Sequence, residues 1–206
     1  MPEVKVQPNV ISYSAAISAC EKGGQWQEAL KLFDAIQKGS VQPNVISYNA
    51  AISACEKGGR WQEALKLLEV MPKAKVQADV ISFSAAISAC EKGRRWQEAL
   101  KMFEAMPSSK VQPTVISYCA AISACQGGQW QEALKLIEDM PQANFLPNVI
   151  SYSAAIGTCE KDGQRQETLK LLEAMGAANC HELRCRHPYL LEVEAVAGSM
   201  ERIEVV

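Results

Sequence analysis

VISYSAAISACEKGGQWQEALKL, residues 10–32, returns as VISYNAAISACEKGGRWQEALKL at 45–67 and as VISFSAAISACEKGRRWQEALKM at 80–102. A fourth copy, VISYCAAISACQGGQWQEALKL, occupies 115–136, and a degraded fifth, VISYSAAIGTCEKDGQRQETLKL, occupies 149–171. The copies start 35, 35, 35 and 34 residues apart, the short step arising where the fourth reads CQGGQW in place of CEKGGQW. Self-similarity at a period of this size marks a chain built from stacked supersecondary units. The expected division is a lead-in at 1–9, repeats at 10–44, 45–79, 80–114 and 115–148, a degenerate fifth at 149–176, and a non-repeating tail at 177–206 that either caps the last unit with a short helix or is partly disordered.

Each unit reads as two helices. In the first, Ser12 is the expected N-cap, and Tyr13, Ala16, Ile17 and Cys20 then fall at i, i+3, i+4 and i+7, which gives helix A one apolar stripe. Gly23 and Gly24 break it, and Trp26, Ala29, Leu30 and Phe33 repeat the spacing on helix B. Met71-Pro72, Met106-Pro107 and Met140-Pro141 are expected to end helix B, because proline disfavours a helical conformation in the residue before it. A further proline, at Pro8, Pro43, Pro113 and Pro147, precedes every unit but the third, where Ala78 stands. A two-helix unit cannot hide both stripes alone, so neighbours must stack into a continuous core. The expected fold is all-α, an α-solenoid with the A helices inside and the B helices outside.

Composition narrows the function. The chain has 206 residues and 22.5 kDa, with 48% hydrophobic and 21% charged residues, enough to bury a core. Its net charge of −2 excludes a protein that holds nucleic acid or a membrane surface by bulk charge, so any polyanion must be met locally. No run of about 18 uncharged apolar residues occurs, and Met1 to Asn9 has the pattern of neither a secretory signal nor a transit peptide, so neither membrane insertion nor an address is expected of this chain. Five of the eight cysteines, Cys20, Cys55, Cys90, Cys125 and Cys159, recur at the repeat spacing and read as small buried residues. Stacked helices set them about 8–10 Å apart, too far for a disulfide, so reduced thiols in a reducing cell interior are expected. Cys180, His181, Cys185 and His187 have zinc-ligand chemistry but lack paired C-x-x-C or H-x3-H spacing, so no metal is assigned. Neither a carboxylate pair, a Ser/His/Asp set nor a phosphate-binding glycine loop is present. No catalysis, cofactor or small-molecule substrate is expected.

Trp26, Trp61, Trp96 and Trp130 open helix B on its apolar side and read as packing between helices. Arg165 takes that place in the fifth unit, which marks it as looser. Glu28, Glu63, Glu98, Glu132 and Glu167 precede lysines by three residues, as helix-surface pairs do. On helix A, Ser14, Ser18 and Lys22 lie at i, i+4 and i+8, opposite the apolar stripe, as do Asn49, Ser53, Lys57 and Ser84, Ser88, Lys92. Stacking would align them into a groove of small hydrogen-bonding groups, with Lys22, Lys57, Lys92 and Lys161 against successive phosphates and no lysine in the fourth unit. The plainer reading is a solvated helix face.

At this point the unit VISYNAAISACEKGGRWQEALKLLEVMPKAKVQAD, 45–79, closely resembles the pentatricopeptide repeat: an aliphatic pair, Ser, Tyr and a polar residue opening helix A, Lys-x-Gly before the turn, then EAL and a hydrophobic-Met closing helix B. The tetratricopeptide signature W-x-x-L-G-x-x-Y is absent. The resemblance implies a right-handed superhelix of five such repeats that binds single-stranded RNA, one base per repeat, running parallel to the RNA from its 5′ end. It implies Ile11, Ile46, Ile81, Ile116 and Ile150 as the residues that sandwich each base. It implies reading pairs Ser14 with Asn44, an adenine reader; Asn49 with Asp79, a uracil reader; Ser84 with Thr114, without a base; and Cys119 with Asn148, whose cysteine departs from the usual polar residue. Ser153 of the last unit has no assigned partner. Some plant relatives end in a zinc deaminase domain, but His181-Glu182 does not fit its signature. The family also implies action in RNA processing, stability, editing or translation in a mitochondrion or plastid. The alternative is a helical-repeat scaffold that docks a protein partner in the same groove. Four bases at about 1–2 kcal/mol each correspond to a dissociation constant between about millimolar and micromolar.

Overall fold

The computed structural model describes residues 8–39, 41–126 and 128–176. Ten helices follow in order: α1 (Val10–Lys22), α2 (Trp26–Lys38), α3 (Val45–Lys57), α4 (Trp61–Lys73), α5 (Val80–Lys92), α6 (Trp96–Ser108), α7 (Val115–Ala124), α8 (Trp130–Gln142), α9 (Val149–Lys161) and α10 (Arg165–Gly176). There is no strand among the described residues, and no helix there is long and apolar enough to cross a membrane. The odd-numbered helices are the A helices and the even-numbered ones the B helices.

Ser12 is not the cap of α1. Asn9 is: its Oδ1 accepts from the Ile11 and Ser12 amides, both at 3.0 Å, while Ser12 Oγ accepts from the Asn9 amide at 2.9 Å. This is a capping box with serine in the return position, repeated by Asn44 with Ser47, Asp79 with Ser82, Thr114 with Ser117, and Asn148 with Ser151. The cap lies three residues earlier than expected because the extended residue after each unit's loop satisfies the free amides before the aliphatic pair begins.

The proline expectation is also corrected. Pro72, Pro107 and Pro141 lie inside the last turns of α4, α6 and α8. What stops these helices is the left-handed residue beyond, Lys75 (φ 59°), Lys110 (φ 62°) or Asn144 (φ 63°). In each case the following amide turns back five residues, as Val76 N donates to Met71 O at 2.9 Å, and the left-handed residue's own amide donates to the proline carbonyl, Lys75 N to Pro72 O at 3.0 Å. That is a Schellman closure, with Val76 as the residue beyond the turn and Met71 as the last core methionine. The A helices of units one, two, three and five close the same way on Gly24, Gly59, Arg94 and Gly163.

Each A helix packs beside the A helix of the next unit, and each B helix packs on its own A helix and, from α2 to α8, on the following one. Neighbouring B helices share no comparable interface, so they splay around a tightly packed A row. The sides of the A helices explain this: Ala50, Ala51 and Ala54, with their copies Ala85, Ala86, Ala89, Ala120, Ala121 and Ala124, are buried and let the backbones approach. Ile17, Ile52, Ile87 and Ile122 fill the centre with Phe33, Met71, Met106 and Met140. Phe33 meets Tyr48 of the next unit edge-on at 4.7 Å, and Phe103 meets Tyr118 in the same way.

The tryptophans latch successive units. Trp26 is half-buried beneath the next unit's turn, with the Arg60 guanidinium 4.3 Å from its ring centroid, and Trp61 is covered likewise by Arg95 at 4.9 Å. Packing, not base stacking, is their role here. A β-carbon on Gly58 would stand 2.5 Å from the Trp26 ring, whereas one on Gly23, the same residue of the first unit, meets nothing nearer than 3.4 Å. Gly58→Ala is therefore expected to destabilise the protein by about 1–3 kcal/mol in urea denaturation, and Gly23→Ala by less than about 0.5 kcal/mol. Arg94 sits at φ 54°, where units one and two have glycine, so Arg94→Gly is expected to stabilise the fold by about 1 kcal/mol in the same assay.

Candidate nucleic-acid interface

The A row leaves one kind of large apolar side chain uncovered. Ile11, Ile46, Ile81, Ile116 and Ile150 are 72, 59, 61, 69 and 63% exposed, each the second residue of its A helix. Single exposed hydrophobes are ordinary, but one recurring at the same place in all five units forms a row whose exposure the core does not require.

The residues three further along lie in the seams between A helices. Asn49 Nδ2 donates to both Asp79 carboxylate oxygens, at 3.1 and 3.2 Å, so this pair from two units is in direct contact. Ser84 Oγ donates to Ser117 Oγ at 3.4 Å, which lies 3.2 Å from Thr114 Oγ1, so Ser84 and Thr114 are linked through a third residue. Ser14 instead donates to the Val10 carbonyl of its own helix at 2.8 Å, and the Asn44 side chain accepts from the Ser47 amide at 2.9 Å, leaving that pair unjoined. Cys119 is half-buried, and burial pushes its thiol pKa up; Asn148 accepts from the Ile150 and Ser151 amides at 3.0 Å. Ser14 and Ser84 are buried and Asn49 and Cys119 half-buried, so the groove expected from these side chains is closed to a narrow seam by the alanine-mediated approach of the helices. Asn44, Asp79, Thr114 and Asn148 double as helix caps, which the sequence reading missed although each stands three residues before a serine.

The lysines bridge units. Lys57 Nζ is 2.8 Å from Glu21, Lys92 Nζ is 2.8 Å from Glu56, and Lys161 Nζ donates to Gln126 at 2.7 Å. Lys57 and Lys92 keep 41% and 45% of their side chains exposed, so their ammonium groups retain open N–H donors toward solvent. Lys22 is exposed and has no such partner among the described residues. The repeated acid of the third unit, Glu91, faces a fourth unit from which the lysine is missing. Burial raises its pKa above 4.5, with Glu56 adding to the rise and Lys92 and Lys161 opposing it.

Four of the five repeated cysteines are buried as expected, whereas Cys20 of the first unit is only half-buried. Burial, with a helix B carboxylate nearby, pushes Cys55, Cys90 and Cys125 up to about 12 and Cys159 to about 11, and all are free. Of the expected surface pairs, Glu28 with Lys31 and Glu167 with Lys170 close at 2.7 and 2.8 Å. Cys180, His181, Cys185 and His187, with the tail at 177–206, lie outside the described residues.

An acid whose folded pKa is raised holds its proton more tightly when folded, so it favours the fold at low pH and loses that contribution as pH climbs through and beyond 4.5. Glu91→Gln is expected to remove this loss, so that its melting temperature rises relative to the unsubstituted chain between pH 4 and pH 7, about the range over which a carboxyl titrates. Glu56→Gln, which breaks the contact to Lys92, is the control expected to show no such gain.

Compared with known protein families, residues 8–57, 43–92 and 78–127 match the PPR repeat family, and residues 116–145 match the PPR repeat. No curated protein matches the chain. Among solved structures, the chain is similar to the pentatricopeptide repeat protein PPR10 from maize, at 21% identity and TM-score 0.70 over 83% of this chain and 25% of that one. The structure of PPR10 with an 18-nt psaJ RNA element matches at 23% identity and TM-score 0.77 over 98% of this chain and 30% of that one. The PPR domain of Arabidopsis thaliana protein-only RNase P 1, in complex with tRNA, matches at 18% identity and TM-score 0.70 over 91% and 96%. These likenesses concern the fold, and the chain spans between a quarter and a third of the PPR10 chains it resembles. With matched repeats running from residue 8 to residue 145, the chain belongs to the pentatricopeptide repeat family.

Proposed function

We propose that the protein binds single-stranded RNA along its row of A helices, one base to a repeat, and acts in organellar RNA processing, stability, editing or translation without catalysis of its own. The observation that carries this reading is the coincidence on one row of five exposed isoleucines with polar pairs in the seams beside them. An isoleucine side chain offers a flat apolar contact for a base face, and consecutive units offer two, one on each side. The polar pair between them meets the base edge. Ser14 with Asn44 is the adenine reader, Asn49 with Asp79 the uracil reader, and Ser84 with Thr114 and Cys119 with Asn148 carry no firm preference. The bound RNAs of PPR10 and of the RNase P 1 PPR domain support the same ligand class for this chain.

Lys22, Lys57, Lys92 and Lys161 are the phosphate contacts in this reading. Three of them already span adjacent units, so a phosphate would share an ammonium group that the fold has positioned. Exposed pairs of this kind contribute about 0.2–1 kcal/mol, so sharing or exchanging them costs little. Affinity should therefore fall with salt at a slope of about −2 to −3.

Fluorescence titration with short RNAs containing an adenine-uracil core, against scrambled RNA and the same DNA, tests the reading. Replacing Ile46 and Ile81 with alanine is expected to weaken binding about tenfold or more, since each loses apolar contact worth about 1 kcal/mol. Asn49→Ser with Asp79→Asn is expected to move the preference at that base from uracil to adenine. Affinity indifferent to sequence and salt, or a reader variant with unchanged preference, would favour a protein-docking scaffold instead.

A further inference from the structure

The serine at the third position of each A helix does more in the third unit than close a capping box. Ser12, Ser47 and Ser151 donate their hydroxyls to the carbonyl of their own cap residue, at 2.9, 2.8 and 2.8 Å. Ser82 is turned elsewhere: its hydroxyl donates across the seam to Asn49 Oδ1 at 2.5 Å, with Asp79 Oδ1 as a more distant acceptor at 3.0 Å. The Asn49 amide is thus held at both ends. Its Nδ2 faces a carboxylate that accepts hydrogen bonds, and its Oδ1 faces a hydroxyl that donates one. A carboxamide turned by 180° would set its oxygen against the carboxylate and its N–H against a donor, losing both contacts.

We infer that Ser82 is a positioning residue for the Asn49 and Asp79 pair, adding to the Asp79 carboxylate a second contact that holds the Asn49 carboxamide in the orientation that selects uracil over cytosine. This inference rests on the RNA-binding reading above. Held this way, Asn49 keeps one N–H and one oxygen lone pair for a base, side by side and in fixed order. Uracil presents O4 as acceptor beside N3–H as donor, whereas cytosine presents the N4 amino group as donor beside N3 as acceptor. The two pyrimidines have nearly the same shape and reversed polarity, so a carboxamide free to turn would satisfy either. With the Ser82 donor in place, a base seated in one backbone register meets a donor opposite its upper group and an acceptor opposite its ring nitrogen, which only uracil matches. Purine rejection does not depend on this lock, because it follows from size. Ser82 is fully buried, so solvent does not compete for its hydroxyl.

The test compares the unsubstituted chain, Ser82→Ala and Ser47→Ala in anisotropy titrations with three short RNAs that differ only in carrying uracil, cytosine or adenine opposite the second unit. Both variants lose the hydroxyl of a capping box, so equal thermal destabilisation separates the lock from stability. The unsubstituted chain and Ser47→Ala are expected to prefer uracil to cytosine about fivefold more strongly than Ser82→Ala does, the worth of one hydrogen bond, the variant keeping only the preference that the Asp79 carboxylate enforces. Preference for pyrimidine over adenine should persist in all three. In RNA-free protein, the two Asn49 side-chain amide proton resonances are expected to be resolved and slowly exchanging, and to broaden or move together in Ser82→Ala only. An unchanged uracil-to-cytosine ratio in Ser82→Ala, no such ratio in the unsubstituted chain, or unaltered amide resonances would overturn the inference while RNA binding stands. Absence of any RNA binding by the unsubstituted chain would end the RNA reading itself, and the positioning role with it.

Discussion

Side-by-side contact between A helices is the constraint from which the rest of the molecule follows. A helix thirteen residues long with apolar or small groups on nearly every side cannot be covered by one partner, so it needs its own B helix, the preceding B helix and two neighbouring A helices. Alanines on its flanks bring those neighbours close, and the remaining buried contacts of the row are filled largely by serines. Ser47, Ser82, Ser117 and Ser151 are all fully buried, each with its hydroxyl oxygen accepting from the backbone amide of its cap residue. The B helices keep bulky residues on one face only and therefore spread around the row.

That constraint also decides what the seams can recognise. The residues in the reading positions are not loose groups waiting for a ligand; Asn44, Asp79 and Asn148 already accept hydrogen bonds from helix amides. A base must use the valences the fold leaves over. This limits each seam to few contacts, but it also means that those contacts need no ordering on binding, which is where flexible polar side chains lose most of their affinity. Seams differ although the units are nearly identical, because one substitution decides whether a side chain reaches across. Asparagine at position 49 reaches the Asp79 carboxylate of the next unit, serine at position 84 reaches only the nearer Ser117 hydroxyl, and serine at position 14 turns back onto its own helix.

The ladder of glutamates and lysines shows the same dependence on neighbours. One deleted lysine in the fourth unit removes a partner from Glu91 in the third, and the glutamine that replaces the fourth unit's own glutamate still holds Lys161 of the fifth as a neutral acceptor. The defect is thus confined to one seam. Arg94 is a comparable local departure, a bulky residue in a left-handed turn that its sister units fill with glycine, tolerated because the closing hydrogen bonds of the helix are made by backbone alone.

Repetition at a period of 35 residues, two helices per unit, the burial of four of the five repeated cysteines and the stacking of units were legible in the sequence, because they depend on spacing within a unit and on the inability of two helices to cover themselves. The helix ends were misread where backbone geometry outweighs side-chain type: the cap moved from Ser12 to Asn9, and the stop from the Met-Pro pairs to the left-handed residue after them. The candidate interface was legible as a set of positions but not as a set of bonds. Which acceptor a serine hydroxyl chooses, whether a lysine stands free or bridges to the unit before, and how far a groove closes are settled between residues some 30 to 36 positions apart, where distance along the chain carries no information and only the packed helices bring the partners within reach.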